Sequence, residues 1–236
     1  MSRLLKMILG NLGRLIRFFF QMCRCAKHRE KYSEMDIYTR IQNLIRQVVS
    51  KGNVDLQVFG KENIPQTNGY MLYANHQGIF DILAIAIDFP GPLAAVFKHE
   101  LKNIPLIKQL AYLTKSFPMN RADVRQSLTV IRAVTEEVKS GRNYIIFPEG
   151  TRSRKGNEMN EFHSGSFKAA MKAKCPILPV AFINSFQVLD QKGTQPVSVQ
   201  MHYLKPIPYE EYQAMTTVAV AALVKQRIAE VLDKYA

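Results

Sequence analysis

The sequence predicts an α/β protein, a mixed and mostly parallel sheet covered by helices on both faces, preceded by two amphipathic helices. Three observations carry this expectation. From residue 54 onward, short apolar runs alternate with longer amphipathic ones, the pattern of a sheet layered with helices. The 236 residues are 47% hydrophobic, enough for one substantial core. Residues 1–27 differ from the rest, with Arg3, Lys6, Arg14, Arg17, Arg24 and Lys27 and no acidic residue. The chain therefore divides into a basic amphipathic segment, 1–52, and an α/β domain, 53–236.

On a helical reading, Arg3, Lys6, Gly10, Arg14, Arg17, Gln21 and Arg24 recur every three or four residues and form one narrow polar ridge. The rest of that helix is apolar, with Leu4, Leu5, Ile8, Leu9, Leu12 and Phe18–Phe20 prominent. A second helix follows, with Ile37, Ile41, Leu44, Ile45 and Val48 on one face and Lys51-Gly52 ending it. Val54, Leu56 and Val58 alternate with polar residues, the mark of a half-exposed strand. Residues 70–74 are a short apolar strand and 79–89 a buried helix closed by Pro90-Gly91-Pro92. Strand 93–97, helix 104–113 and strand 115–119 follow, then an amphipathic helix, 122–140, capped by Gly141. The remainder reads as strand 143–147, helix 164–174, strands 177–183 and 197–204, and a terminal helix, 216–235. Residues 184–196 are polar and read as a loop or hairpin.

The net charge of +13 calls for a polyanionic partner. No nucleic-acid recognition signature accompanies it, which argues against DNA or RNA. No stretch of about 18 uncharged apolar residues appears, so no ordinary membrane-spanning helix is expected. The apolar amino-terminal run is interrupted by Arg14 and Arg17 and lacks a small-residue cleavage site, unlike a secretory signal. A wide apolar face beside an all-cationic ridge suits a helix lying in an anionic membrane surface, where each base contributes about 1 kcal/mol. Packing against its own domain or a second subunit is the alternative. Cys23, Cys25 and Cys175 have no metal-ligand spacing and fit reduced residues of the cytoplasm, so no metal or other cofactor is expected.

His76 and Asp81 stand where a predicted strand gives way to a predicted helix. Five residues apart is about 500° of ideal helix, roughly 140° off a shared face, so the two meet only if His76 lies in the loop. Asp81 could then orient one imidazole nitrogen and leave the other as a base, with Gly78 allowing the bend. No Gly-x-Ser-x-Gly nucleophile elbow exists in the chain, so such a pair suits direct deprotonation of a substrate hydroxyl. On spacing alone a structural loop histidine remains open. Phe147-Pro148-Glu149-Gly150-Thr151-Arg152-Ser153 follows a buried strand and presents Arg152 in a Gly-containing turn, suited to a phosphate or to plain solvent.

Taken together, these residues resemble the glycerophospholipid acyltransferases. Asn75-His76-Gln77-Gly78-Ile79-Phe80-Asp81 is similar to that family's N-H-x4-D motif, and residues 147–153 match its F-P-E-G-T-R-S motif throughout. Ser116-Phe117-Pro118-Met119-Asn120-Arg121 resembles the second block, with Asn120 where an acid is usual. Cys175-Pro176-Ile177-Leu178-Pro179-Val180 resembles the fourth, and Lys98-His99-Glu100-Leu101 a K-x-E-L element. Many members carry Ser at the position of Gly78.

The resemblance implies that His76 is the general base and Asp81 its orienting partner, with attack on an acyl thioester and no covalent acyl-enzyme. It implies that Arg152, Lys98 and Arg121 hold the acceptor's phosphate, while Glu149, Gly150 and Thr151 shape the acceptor site. Pro176 and Pro179 would set the strand lining an acyl groove. The acceptor implied is the sn-2 hydroxyl of 1-acyl-glycerol-3-phosphate (lysophosphatidic acid), and the donor an acyl carrier protein or coenzyme A thioester. Such an enzyme of phospholipid biosynthesis would sit peripherally on the cytoplasmic face of the cell membrane. Glycerol-3-phosphate or another lysolipid as acceptor, or a non-catalytic membrane-binding module, are the alternatives.

Overall fold

Seven strands hydrogen-bond into one sheet because their apolar runs are too short for helices, and the central three strands are buried on both sides. A computed structural model describes residues 2–235. The strands are β1 (Val54–Phe59), β2 (Met71–Ala74), β3 (Leu93–Lys98), β4 (Phe117–Met119), β5 (Asn143–Ile146), β6 (Ile177–Ile183) and β7 (Val197–Tyr203). Their order is β1-β7-β6-β2-β5-β3-β4. Every neighbouring pair is parallel except β6 with β7. The expectation of a mixed, mostly parallel sheet is met.

The helices are α1 (Arg3–Leu9), α2 (Leu12–Lys27), α3 (Glu34–Val49), α4 (Phe80–Asp88), α5 (Ile107–Thr114), α6 (Val124–Lys139), α7 (Lys168–Ala173), α8 (Phe186–Leu189), α9 (Tyr209–Tyr212) and α10 (Thr217–Tyr235). Strand alternation distributes them over two faces. Met71 and Tyr73 point into one cluster with Val134, Val138, Ala170, Val224 and Ile228, which brings α6, α7 and α10 onto that side. Leu72 and Ala74 point into the opposite cluster, with Met7, Tyr38, Phe80, Ile85 and Val188 from α1, α3, α4 and α8. Both faces are covered, as a parallel sheet requires.

The amino-terminal segment departs from the expected two helices. Gly10-Asn11 interrupts the first, the Asn11 side chain donating to Met7 O at 2.9 Å, so the segment comprises three helices. The inward face of α2, with Phe18, Met22 and Cys25, packs on Ile37 and Ile41 of α3 and on Leu113 of α5. Met7, Tyr38 and Val49 enter the main core. The polar ridge is also broken. Arg3, placed on it by the heptad-like spacing, is 3% exposed and points into the protein. The outward face, with Leu4, Leu5, Leu9, Leu12, Ile16 and Phe20, remains exposed.

Two smaller differences concern connections. The polar stretch read as a loop contains α8, a single turn whose Val188 is fully buried. The α5 helix begins three residues later than its apolar pattern suggests, after a turn in which Leu106 adopts φ 73°. Ile85 in α4 is wholly buried against the sheet. Truncating it to alanine removes a packed side chain at the base of the loop that carries His76. Ile85→Ala should lower the unfolding free energy by about 2–5 kcal/mol in urea titration, and a loss under about 1 kcal/mol would mean the cluster is loosely packed.

Candidate active site

Three neighbouring strands deliver the site. β6, β2 and β5 run parallel side by side, and the segments leaving their carboxyl ends are 184–196, 75–79 and 147–153. Ligand sites gather at this end of such sheets. The Asn75 side chain replaces the missing strand pairing as β2 ends. Its amide donates to Phe182 O at 2.9 Å and its carbonyl accepts from Phe182 N–H at 2.7 Å. The chain can then leave the sheet at His76 without stranding backbone groups.

His76 lies in the loop, and Asp81 is the second residue of α4. The His76 Nδ1 is 2.7 Å from Asp81 Oδ2. A carboxylate only accepts, so Nδ1 carries the proton and Nε2 presents a lone pair. The imidazole stacks on Phe147, ring centres 4.3 Å apart, which fixes its plane. Asp81 is fully buried and collects further donors. The N–H groups of Gln77 and Gly78 reach Oδ2 at 2.7 and 3.0 Å, and the Ser185 hydroxyl donates to Oδ1. Gln77 in turn accepts from the Ser185 N–H at 3.0 Å. No hydroxyl or thiol of the described residues is hydrogen-bonded to His76 Nε2, in keeping with the missing nucleophile elbow.

Gly78 works differently from the sequence expectation. Its φ is not positive, so backbone flexibility is not what it supplies. A Cβ there would stand 2.6 Å from Asp190 Oδ2 and 3.0 Å from Phe186 Cα. The missing side chain lets α8 close against the His76 loop.

Glu149, expected to shape the acceptor site, is 2% exposed, and both of its oxygens hold backbone N–H groups. Its Oε1 accepts from His76 N–H at 2.6 Å and its Oε2 from Asn160 N–H at 2.8 Å. Burial pushes its pKa up, and these N–H groups partly counter that. The 147–153 turn is further tied to the loop by Ser153 N–H donating to His76 O at 2.8 Å. Gly150 has φ 76°, a left-handed conformation that favours glycine, and a Cβ there would meet His163 at 3.0 Å and Arg121 at 3.4 Å.

Arg152 pairs with Asp190, whose other oxygen accepts from Ile79 N–H at 2.9 Å, so the guanidinium is held beside the His76 loop. Thr151 is exposed at the turn. Arg121 borders a groove of about 390 Å³ lined by Val96, Met119, Leu128, Ile131, Phe147 and Pro148 among others. Since Phe147 also stacks on His76, the groove opens beside the dyad. Lys98 does not line it and pairs at the surface with Glu100 at 3.3 Å. Pro176 and Pro179, expected to set a groove-lining strand, belong instead to the β6 side of the sheet, which does not line this groove. Ser185 and Asp190 escaped the sequence reading, because a polar loop residue carries no pattern that announces its partner. Among the described residues, no cluster of His, Cys, Asp or Glu has the form of a metal site.

The class of protein this fold belongs to is an acyl-transfer family. A family model described as Acyltransferase matches residues 55–183, more than half of the chain, and the protein belongs to that family. Among named relatives, the 1-acyl-sn-glycerol-3-phosphate acyltransferase of Salmonella typhimurium is 35% identical over 166 residues, covering 68% of this chain and 67% of the relative. That of Escherichia coli strain K12 is 32% identical over 175 residues, 72% and 71% of the two chains. The match to the Borreliella burgdorferi enzyme of the same name is 32% identical and spans only 52% of that relative. The crystal structure of a 1-acyl-sn-glycerophosphate acyltransferase from Thermotoga maritima superposes with a TM-score of 0.80 at 22% identity, covering 99% of this chain and 95% of the other. The shared fold thus includes the helices ahead of β1.

The Glu149 carboxyl gives a pH signature. Its folded pKa lies above the ordinary value of 4.5, so folding takes up a proton there. The associated stabilisation is complete below that ordinary value and is lost as pH rises through the folded one. Glu149→Gln, fixed in the neutral form, should show a smaller fall in stability across this window in urea titrations at stepped pH. Equal pH dependence in the two proteins would refute desolvation as the cause.

Proposed function

We propose that this protein transfers a fatty acyl group from an acyl thioester to the sn-2 hydroxyl of 1-acyl-sn-glycerol-3-phosphate, forming phosphatidic acid at a membrane surface. The observation that carries the reading is the buried Asp81 carboxylate 2.7 Å from His76 Nδ1, which leaves Nε2 as a base beside an apolar groove. The names of the enterobacterial relatives supply the acceptor. His76 Nε2 takes the proton as the acceptor oxygen attacks the thioester carbonyl. The C–O bond forms, the C–S bond breaks, and the proton passes from the imidazolium to the departing thiolate. A thiol leaves readily, so no acyl-enzyme is needed. Acyl carrier protein and coenzyme A both remain acceptable donors, since both are anionic and the chain carries +13.

Arg152 offers its guanidinium beside the loop while using one nitrogen on Asp190, which leaves donors for the acceptor's phosphate. Arg121, at the mouth of the groove and beside Gly150, is the second candidate, with Lys98 more remote in its contacts. Gly150 and Thr151 shape the turn that presents Arg152. The groove beside Phe147 suits an acyl chain through its apolar lining.

Residues 1–52 would bind the bilayer peripherally, on the cytoplasmic face of the cell membrane. Support comes from the exposed face of α1 and α2, where Leu9 is 56% and Phe20 65% exposed, flanked by bases and no acid. No helix of the described residues is long and apolar enough to cross a membrane.

His76→Ala should reduce transfer by roughly 10²–10⁴-fold while vesicle flotation stays at the wild-type level, and appreciable residual turnover would mean the base is misassigned. Arg152→Ala should raise the KM for lysophosphatidic acid more than it lowers kcat, and an unchanged KM would count against phosphate binding. Replacing Leu9 and Phe20 together by serine should weaken flotation with anionic vesicles; undiminished binding would sink the membrane assignment.

A further inference from the structure

Arg3 is a buried charge that the transfer chemistry does not use. The residue is 3% exposed, and no carboxylate among the described residues pairs with it. It is held by carbonyls alone. Nη1 donates to Gln187 O at 2.7 Å and Val188 O at 2.9 Å, and Nη2 donates to Gln195 O. Its Nε finds no partner. Desolvating a guanidinium for neutral acceptors is costly, so this arrangement is not explained by stability. What it does is clasp both ends of the 184–196 connection, joining the carboxyl end of α8 to the chain just before β7.

That connection is the one that orients the dyad. Ser185 donates to Asp81 Oδ1, and its N–H reaches Gln77 Oε1 at 3.0 Å. Asp190 accepts from Ile79 N–H and pairs with Arg152. Phe186 lies against Gly78 with no room for a Cβ between them. On the opposite side, α3 grips the carboxyl end of the helix that bears Asp81. Gln42 donates to Ala86 O and Phe89 O, both at 3.1 Å, and Arg46 donates to Ile87 O at 2.7 Å. The exposed apolar face of α1 therefore sits on a helix whose single buried cation is wired, two bonded steps away, to the Asp81 carboxylate.

We infer that Arg3 is a positioning residue for the His76–Asp81 dyad, acting through the 184–196 connection so that the seating of α1 sets the transfer rate. The inference rests on the acyl-transfer reading. Losing the clasp frees α8, loosens the Ser185 bond to Asp81 and lets the imidazole drift from its productive orientation. A misplacement of this kind lowers kcat and leaves acceptor binding largely intact.

The experiment compares wild-type, Arg3→Ala, Ser185→Ala and the double variant by steady-state kinetics on mixed vesicles of phosphatidylglycerol and lysophosphatidic acid, with flotation and amide hydrogen exchange alongside. Arg3→Ala should lower kcat about tenfold or more with KM nearly unchanged, float with the vesicles, and exchange faster at residues 185–190 and 77–79. The double variant should be little slower than the worse single one, because both changes loosen the same bond. A wild-type kcat, unaltered exchange at those residues, additive losses, or an activity loss matched by lost flotation would each overturn the proposal. If Arg3→Ala folds poorly, Arg3→Lys decides, since it keeps the charge but not the planar fork. Slowed kcat with faster local exchange supports the inference, and wild-type values of both overturn it. If the wild-type protein transfers no acyl group, the functional reading fails, while the exchange comparison, which needs no substrate, still tests the coupling.

Discussion

The site depends on the Asp81 carboxylate. It is fully buried, and its two oxygens collect the His76 imidazole, the Gln77 and Gly78 N–H groups and the Ser185 hydroxyl. An unsatisfied carboxylate there would be prohibitive, so the loop must fold so that all four donors arrive together. That requirement bends the chain between β2 and α4, exposes one imidazole nitrogen and recruits the far connection through Ser185. One acidic side chain thus sets the loop, the tautomer and the docking of α8.

The neighbouring acid, Glu149, works in the same way on a smaller scale. It joins His76 N–H to Asn160 N–H from within the turn that follows β5. Its place in the motif suggests contact with substrate, yet its oxygens serve backbone groups. The residues that face outward from this turn are Thr151 and Arg152. Arg152 is balanced by Asp190, so the cation is pre-placed beside the loop before any phosphate arrives. The motif therefore combines one buried acid that binds backbone with one cation held at the surface of the turn.

The amino-terminal helices have two faces with separate work. Phe18, Met22 and Cys25 bury inward on α3 and α5, while Leu9, Ile16 and Phe20 stay outside. Arg3 from α1, with Gln42 and Arg46 from α3, satisfies carbonyls at the ends of the two short helices that flank the dyad. The segment is thus continuous with the core of the α/β domain.

Much of this was legible in the linear order of residues. Short apolar runs, one of them alternating, identified all seven strands, and the 3.6 periodicity most helices, because burial leaves a local pattern. His76, Asp81 and the Arg152 turn stood out through their places at strand ends and the motifs they form, since spacing alone left a structural histidine open. Satisfaction of buried polar groups is not local. Nothing in the chain near Arg3 says that its partners lie more than 180 residues away, and its spacing placed it on the lipid-facing ridge. Ser185, Asp190 and the carboxylate of Glu149 took their roles from strands brought side by side, as did the contact that excludes a Cβ at Gly78. The sequence by itself determined the layers and the chemistry available at His76 and Asp81. Only the tertiary structure decided which donors reach each buried charge, because those bonds join segments that only the folded sheet brings within reach.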